Sequence, residues 1–386
     1  PPPARYFGMQ SNVFTREAAF DPDTTTDPIY PQVADPLLKG ILFGVSPDPL
    51  RRMMVSSIGN SINNVVIEKQ TDQAPWNRPA YFVITSDDGM KTEMTNALVA
   101  AGASESDIFT EPVAPDLVKL GLDSSADDLV TYIRYSMPDD PVAGERWRQE
   151  LPLAILRVRD MSTRQYNHPL PVPKYTDRTG NYNYDEIKLL TDDFTALQKA
   201  VLASWAQPEA TPLSFFSAYK KLDLIGQHCL GYDDPYPVPR GPMDCLGDTQ
   251  DADYQISLSA PIDGGEVVAV VGVLSKETGN ATYTSLSVNW FPELIGVANI
   301  DDKDLKGSAE DFGTANSDLF YVYYVARDCT GLTHCREISK KLVPAGELIK
   351  FIQRNYINPG SSNGPDPKYI LNPVMIVLNG TNRPTM

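Results

Sequence analysis

The chain of 386 residues predicts an α+β fold, with a mainly antiparallel sheet in its C-terminal half and helices packed against it. Three observations lead there. Strand-like runs and helical stripes are interspersed without regular alternation, unlike a doubly wound parallel sheet. The last third is rich in alternating apolar and polar residues, punctuated by Asp263-Gly264-Gly265 and Thr278-Gly279-Asn280. One helical stripe stands out, over Ile187, Leu190, Phe194, Leu197, Val201 and Trp205. The alternative is two α/β sandwich halves split near residue 175. The expected organisation is an α/β part over residues 1–167, a Pro-rich strap or linker over 168–184, and a helical segment plus antiparallel meander over 185–386. One compact domain is the other option.

Residues 1–75 read as mostly irregular, since Asp21-Pro22 and Asp27-Pro28 break any period. Leu37 to Val45 fits one strand or a helical turn. Tyr81 to Thr85 is a β-branched and aromatic run, and Asp87 and Asp88 then cap a helix carrying Met90, Met94, Leu98 and Ala101 up to Gly102. With a strand over Asp107–Thr110 this makes a β-α-β unit without a Gly-rich phosphate loop. A capping box at Ser125 and Asp128 predicts a helix through Leu129, Tyr132 and Ile133. A further helix is expected over Ala143–Glu150, and a strand over Leu153–Val158. Pro169, Pro171 and Pro173 favour extended backbone in the strap. Beyond the main helix another is expected over Leu213–Leu224. Tyr254–Leu258, the nearly all-apolar Val267–Leu274 and Thr282–Trp290 then read as a three-stranded meander. Leu319–Ala326 and Val374–Leu378 add strands, and Pro344 opens a helix presenting Leu348, Ile349, Ile352 and Tyr356.

A net charge of −17 disfavours a sequence-independent grip on nucleic-acid backbones. No apolar run approaches the roughly 18 residues a membrane span requires. Four cysteines fall into two sequence-local pairs, predicting Cys229–Cys245 and Cys329–Cys335 disulfides over free thiols or a zinc site. Sequons occur at Asn280 and Asn379. With an N-terminus that lacks Met and 33 prolines, these features fit a secreted, rigid-looped glycoprotein.

The chemistry is less specific. Only His168, His228 and His334 are present, and no hydrolase elbow, P-loop, zincin or dinucleotide motif occurs. Acid–base work therefore falls to carboxylates, Tyr or Lys. The densest set is Asp244, Asp248, Asp251 and Asp253, in a loop that a Cys245 disulfide would hold. Crowded carboxylates repel, which raises some pKa values or recruits a cation. Asp248 and Asp251 are thus candidate catalytic groups, and Asp248, Asp251 and Asp253 candidate Ca²⁺ ligands despite missing the EF-hand spacing. The plain alternative is a solvated acidic loop. Arg327 and Asp328, at a strand end beside a cysteine loop, are further catalytic candidates or simply an ion pair and cap. Tyr182 and Tyr184 would stack on sugar rings or pack in a strand. The expectation is a secreted, carboxylate-dependent hydrolase or lyase acting on a neutral or carbohydrate-like substrate without an organic cofactor. The alternative is an extracellular protein that binds a glycan or small apolar ligand without catalysis; a structural protein without a pocket is a third reading.

Overall fold

The computed structural model describes residues 1–17, 30–33, 36–44, 50–159, 167–218, 224–232, 243–291, 293 and 295–383. The proline-containing stretch at 21–28, residues 219–223 of the helix expected over 213–224, and residues 241–242 of the acidic loop lie outside these. The fold is mixed α+β with mostly antiparallel pairing. The chain forms two compact units. Unit 1 comprises Pro1–Val33, Lys39–Thr176 and Leu224–Gln250; unit 2 comprises Ala34–Leu38, Asp177–Asp223 and Asp251–Met386. A short helix, α1 (Pro36–Phe43), contributes its last turn to unit 1.

Unit 1 is organised by β1 (Ala4–Glu17), an unexpected strand of 14 residues. One edge of β1 carries β2 (Arg51–Ser57) and β3 (Ile62–Asn63). The other edge carries β6 (Asp128–Pro138), from Ala4↔Pro138 to Thr15↔Asp128. The helix expected through Leu129, Tyr132 and Ile133 is therefore a strand. Its Val130-Thr131-Tyr132-Ile133 run is β-branched and aromatic, and a long partner outweighs a weak capping signal. Phe7 and Met9 of β1 pack with Ile62, Ile67 and Phe109, while Val13 packs with Met54, Ile58 and Val118. Ile67 lies on α2 (Asn64–Thr71), capped by the Asn63 side chain.

The β-α-β unit forms as expected. β4 (Tyr81–Thr85) runs parallel to β5 (Ile108–Pro112), and α3 (Asp88–Ala100) connects them. Asp87 accepts from Met90 N at 3.1 Å, one of the donors a helix start leaves open. α4 (Pro141–Glu150) follows, opened by Asp140 with Pro141 in its first turn. The strand expected over Leu153–Val158 has no ladder partner among the described residues; the segment is exposed, with Ile155 and Leu156 largely in solvent.

Unit 2 holds two five-stranded sheets. In order, one contains β14 (Cys335–Glu337), β13 (Phe320–Ala326), β10 (Glu266–Val273), β16 (Val374–Asn379) and β7 (Leu213–Ser214). The other contains β12 (Ile295–Asp301), β11 (Tyr283–Phe291), β15 (Leu348–Tyr356), β9 (Ala252–Ala260) and β8 (Phe216–Ser217). β10 is covered on both faces, as its apolar run predicts. Val267, Ala269 and Val271 face Leu190, Phe194, Leu197 and Val201 of α5 (Glu186–Ser204). Val268 and Val270 face Leu286, Val288, Ile349 and Phe351 of the second sheet. Each fully buried side chain of the α5 stripe contributes roughly 1.5–3 kcal/mol of transfer free energy. Gly272 leaves room for Tyr321, whose ring lies 2.5 Å from where a Cβ would sit.

Three expectations for this half are corrected. β9, β10 and β11 are strands but not a meander: β10 pairs with β13 and β16, whereas β9 and β11 both flank β15 in the other sheet. The helix expected after Pro344 is β15, whose apolar residues serve the sandwich core. Of the helix expected over 213–224, residues 213–214 and 216–217 instead form β7 and β8, and Ala218 is helical where the described stretch ends.

Candidate functional site

Both disulfides form with the expected connectivity, Cys229–Cys245 in unit 1 and Cys329–Cys335 in unit 2. The acidic loop that the Cys245 disulfide was expected to hold is divided. Asp244 and Asp248 belong to unit 1, and Asp251 and Asp253 to unit 2. Among the described residues no three His, Cys, Asp or Glu side chains gather into a metal-binding set.

Asp248 is buried. Its Oδ1 accepts from Ser57 N at 3.0 Å, and its Oδ2 from Ser57 Oγ at 2.7 Å and Gly226 N at 3.0 Å. Burial pushes its carboxyl above the usual range, and these donors oppose the shift. Tyr175 joins the cluster, with its hydroxyl 2.8 Å from Ser57 Oγ. Gly226 is required here, because a Cβ would lie 2.2 Å from Ser57 O. Asp244 accepts from Leu246 N at 2.7 Å, and burial, reinforced by the Asp248 charge, pushes it up to about 6. Asp248 is thus a brace tying the end of β2 to the Cys229–Cys245 loop, while Asp244 holds a turn within that loop.

The other candidates are held elsewhere. Asp251 is buried, and its carbonyl accepts from Ile357 N at 2.7 Å. Asp253 on β9 accepts from Ser217 Oγ at 3.0 Å. Arg327 pairs with Asp263 at 2.8 Å and donates to the carbonyls of Ile338, Val343 and Pro344. That fan of contacts stitches the loop after β14 to the end of β13. Asp328 is exposed and accepts from Thr330 N at 2.8 Å, so it caps a turn and forms no pair with Arg327. Tyr182 stacks on Tyr369, and Tyr184 packs against the α5 core.

The Asn280 sequon is corrected. Asn280 is fully buried: its Oδ1 accepts from the Asn183 and Tyr184 amides, and its Nδ2 donates to Tyr184 O and Glu186 Oε1. The same Glu186 accepts from Thr278 Oγ1 and Leu371 N, and burial raises its pKa. An amide nitrogen so committed has no room for a sugar in the folded unit. Asn379 is exposed at the end of β16, and its Oδ1 accepts from Thr381 N.

A concavity in unit 1 lies away from all of these. A cavity of about 970 Å³ in unit 1 is lined by Met90, Met94 and Leu98 of α3, by Leu129 of β6, and by Leu156 and Val158. Its wall also includes every residue from Ala80 to Asp87. No residue of α3 is fully buried, so the helix leaves its apolar stripe facing this space. Among the described residues the lining contains no Lys, Arg or His, and its one carboxylate is Asp87. That carboxylate is occupied: Oδ1 caps α3 and Oδ2 accepts from His168 N at 2.7 Å. Asp87 is held below its ordinary range: the largest single influence is desolvation, which raises it, but the backbone donors His168, Met90 and Gly89 together outweigh it. Sequence reasoning found α3 and β4 but not the cavity, which needs segments near 80–98, 113–129 and 154–169 together. The signal available was the stripe of long, flexible Met90 and Met94, which suits an adaptable apolar wall.

In unit 2 a second cavity of about 630 Å³ is lined by Gln198, Ser214, Ser217 and Asn372 among apolar residues. Among the described residues its lining holds no carboxylate pair. No family model, curated protein or solved structure matches the chain.

Proposed function

We propose that unit 1 is a binding module, and that its cavity takes a neutral, largely apolar ligand. The observation that carries this is the α3 stripe, which stays half-exposed against a cavity of about 970 Å³. Specific ligand sites are typically concave, roughly 300–1,000 Å³, and mainly apolar with a few polar groups. Here Tyr81, Thr85, Ser86 and Asn167 supply the polar groups. The lack of a cation among the described lining residues argues against an anionic ligand. Support for binding over catalysis is that the one carboxylate among the described lining residues is already engaged with backbone donors. The two disulfides suit an oxidising, extracellular setting, and no helix among the described residues is long and apolar enough to cross a membrane.

The test is titration with Nile red, a neutral apolar fluorophore. We expect saturable blue-shifted emission, weakened at least tenfold by Met94→Arg, with the melting curve of the variant close to that of the parent. Absence of saturable binding, or equal binding by the variant, would overturn the proposal.

A further inference from the structure

We infer that the occupant of this cavity is an extended peptide that adds as a strand to the free edge of β4. The inference rests on the cavity reading above and narrows it to a class of partner.

Side chains on a strand alternate between two faces. A cavity facing one face of β4 would touch every second residue. Instead all eight residues from Ala80 to Asp87 line it, although Phe82 packs its ring into the Phe7–Phe109 core. A cavity lying along the strand edge meets that pattern.

The hydrogen bonds identify which groups the edge presents. Thr85 O accepts from Val113 N, just beyond β5, so the odd-numbered residues direct their peptide groups toward β5. Ser86 O accepts from Leu170 N on the opposite side. The N–H and C=O of Phe82 and Ile84 therefore point to the second edge, where no strand pairs with β4 among the described residues. That edge already receives chain at its far end. Asp87 and Pro169 form an antiparallel bridge, and Asp88 N donates to His168 O. The strap then leaves: Pro171 and Pro173 have no N–H to give, Pro173 O accepts from Gln227 Nε2, and Lys174 O accepts from Asn60 Nδ2. The ladder begun at Asp87 and Pro169 does not continue along Phe82 and Ile84 among the described residues.

An apolar chain would fill the volume but leave the N–H and C=O of Phe82 and Ile84 without partners among the described residues. An extended peptide satisfies them and places alternate side chains against the apolar walls, the mode by which exposed edges capture strands. Five residues of edge span roughly 17 Å at about 3.3 Å per residue. With no cation among the described lining residues and Asp87 at one end, the peptide carries no acidic residue in that stretch.

The probe is acetyl-Leu-Ala-Ile-Leu-Arg-Val-amide, the sequence of residues 153–158, whose Ala154, Leu156 and Val158 already lie against this cavity. Its binding to the full chain is compared with that of the same peptide N-methylated at alternate residues, in both registers. Hydrogen exchange of the Phe82 and Ile84 amides is followed, with Nile red as competitor. We expect the unmodified peptide to displace Nile red, to slow exchange at Phe82 and Ile84 at least tenfold, and to lose at least tenfold in affinity in one N-methylated register. Equal binding by all three peptides, or displacement without protection at Phe82 and Ile84, would overturn strand addition. Saturable Nile red binding with no peptide binding at millimolar concentration would overturn it and leave the cavity reading standing. Failure of both probes would remove both.

Discussion

Asp244 makes unit 1 sensitive to pH in a direction opposite to ordinary acid unfolding. Its carboxyl is pushed from 3.8 to about 6 in the folded chain, first by burial and then by the neighbouring Asp248 charge. Between about pH 4 and pH 6 the folded state holds a proton that the unfolded state has released. Stability is therefore fully present below the unfolded value and falls as pH rises through this window. A shift of about two units at about 1.4 kcal/mol each makes the loss roughly 3 kcal/mol by neutral pH. Asp244→Asn keeps an oxygen for Leu246 N and cannot ionise, so it should match the parent near pH 4 and exceed it by about 3 kcal/mol at pH 7. For a unit of roughly two hundred residues that is about 6–12 °C in Tm. Asp248 and Glu111 are raised in the same sense, so the difference between variant and parent, not the parent profile alone, isolates Asp244. The assay is urea unfolding at pH 4, 5, 6 and 7, read by hydrogen exchange in β1 and β6 so that unit 1 is reported separately. Parallel profiles for the two proteins, or a parent that gains on the variant as pH rises, would refute the argument.

Asp248→Ala strips acceptors from Ser57 N, Ser57 Oγ and Gly226 N together, and each buried donor left open costs about 1–3 kcal/mol. A loss of at least about 3 kcal/mol is expected in the same unfolding assay; a parent-like midpoint would show that the cluster is no brace. Expressed through a secretory pathway, the chain should carry N-linked sugar on Asn379 and none on Asn280, which peptide mapping by mass spectrometry decides. Glycan at Asn280 in folded protein would contradict the buried amide network around Glu186.

What the sequence reveals divides along physical lines. The β4–α3–β5 unit and α5 are legible because each pattern is satisfied locally, by a cap, a stop and one apolar stripe. β1 is hidden because Gln10, Ser11 and Asn12 are buried within it, and buried polar residues erase the period that marks a strand. β15 passes for a helix because a strand covered on both faces loses its alternation, and Ile349, Ile352 and Tyr356 then fall at helical spacing. The strands of the expected meander are visible but their partners are not, since β10 takes β13 and β16 from far along the chain. At the candidate site, the crowding of Asp244 to Asp253 is plain in the sequence. The division of those acids between two units depends on tertiary structure alone.

The interleaving of the two units constrains how the chain can be made. Unit 1 is not complete at Thr176; it lacks Leu224–Gln250, which brings Asp248, Gly226 and both cysteines of its own disulfide. At roughly 5–20 residues per second a ribosome takes several seconds to deliver that piece. Throughout that interval β2 waits with Ser57 lacking its acceptor, while the first stretches of unit 2 have already emerged. A nascent chain halted between these points presents an unfinished sheet to chaperones and proteases. Cys229 and Cys245 also emerge before Cys329 and Cys335, so an oxidase acting in order of appearance meets the correct partners first. The spacing of the cysteines thus lets vectorial synthesis choose one connectivity from three.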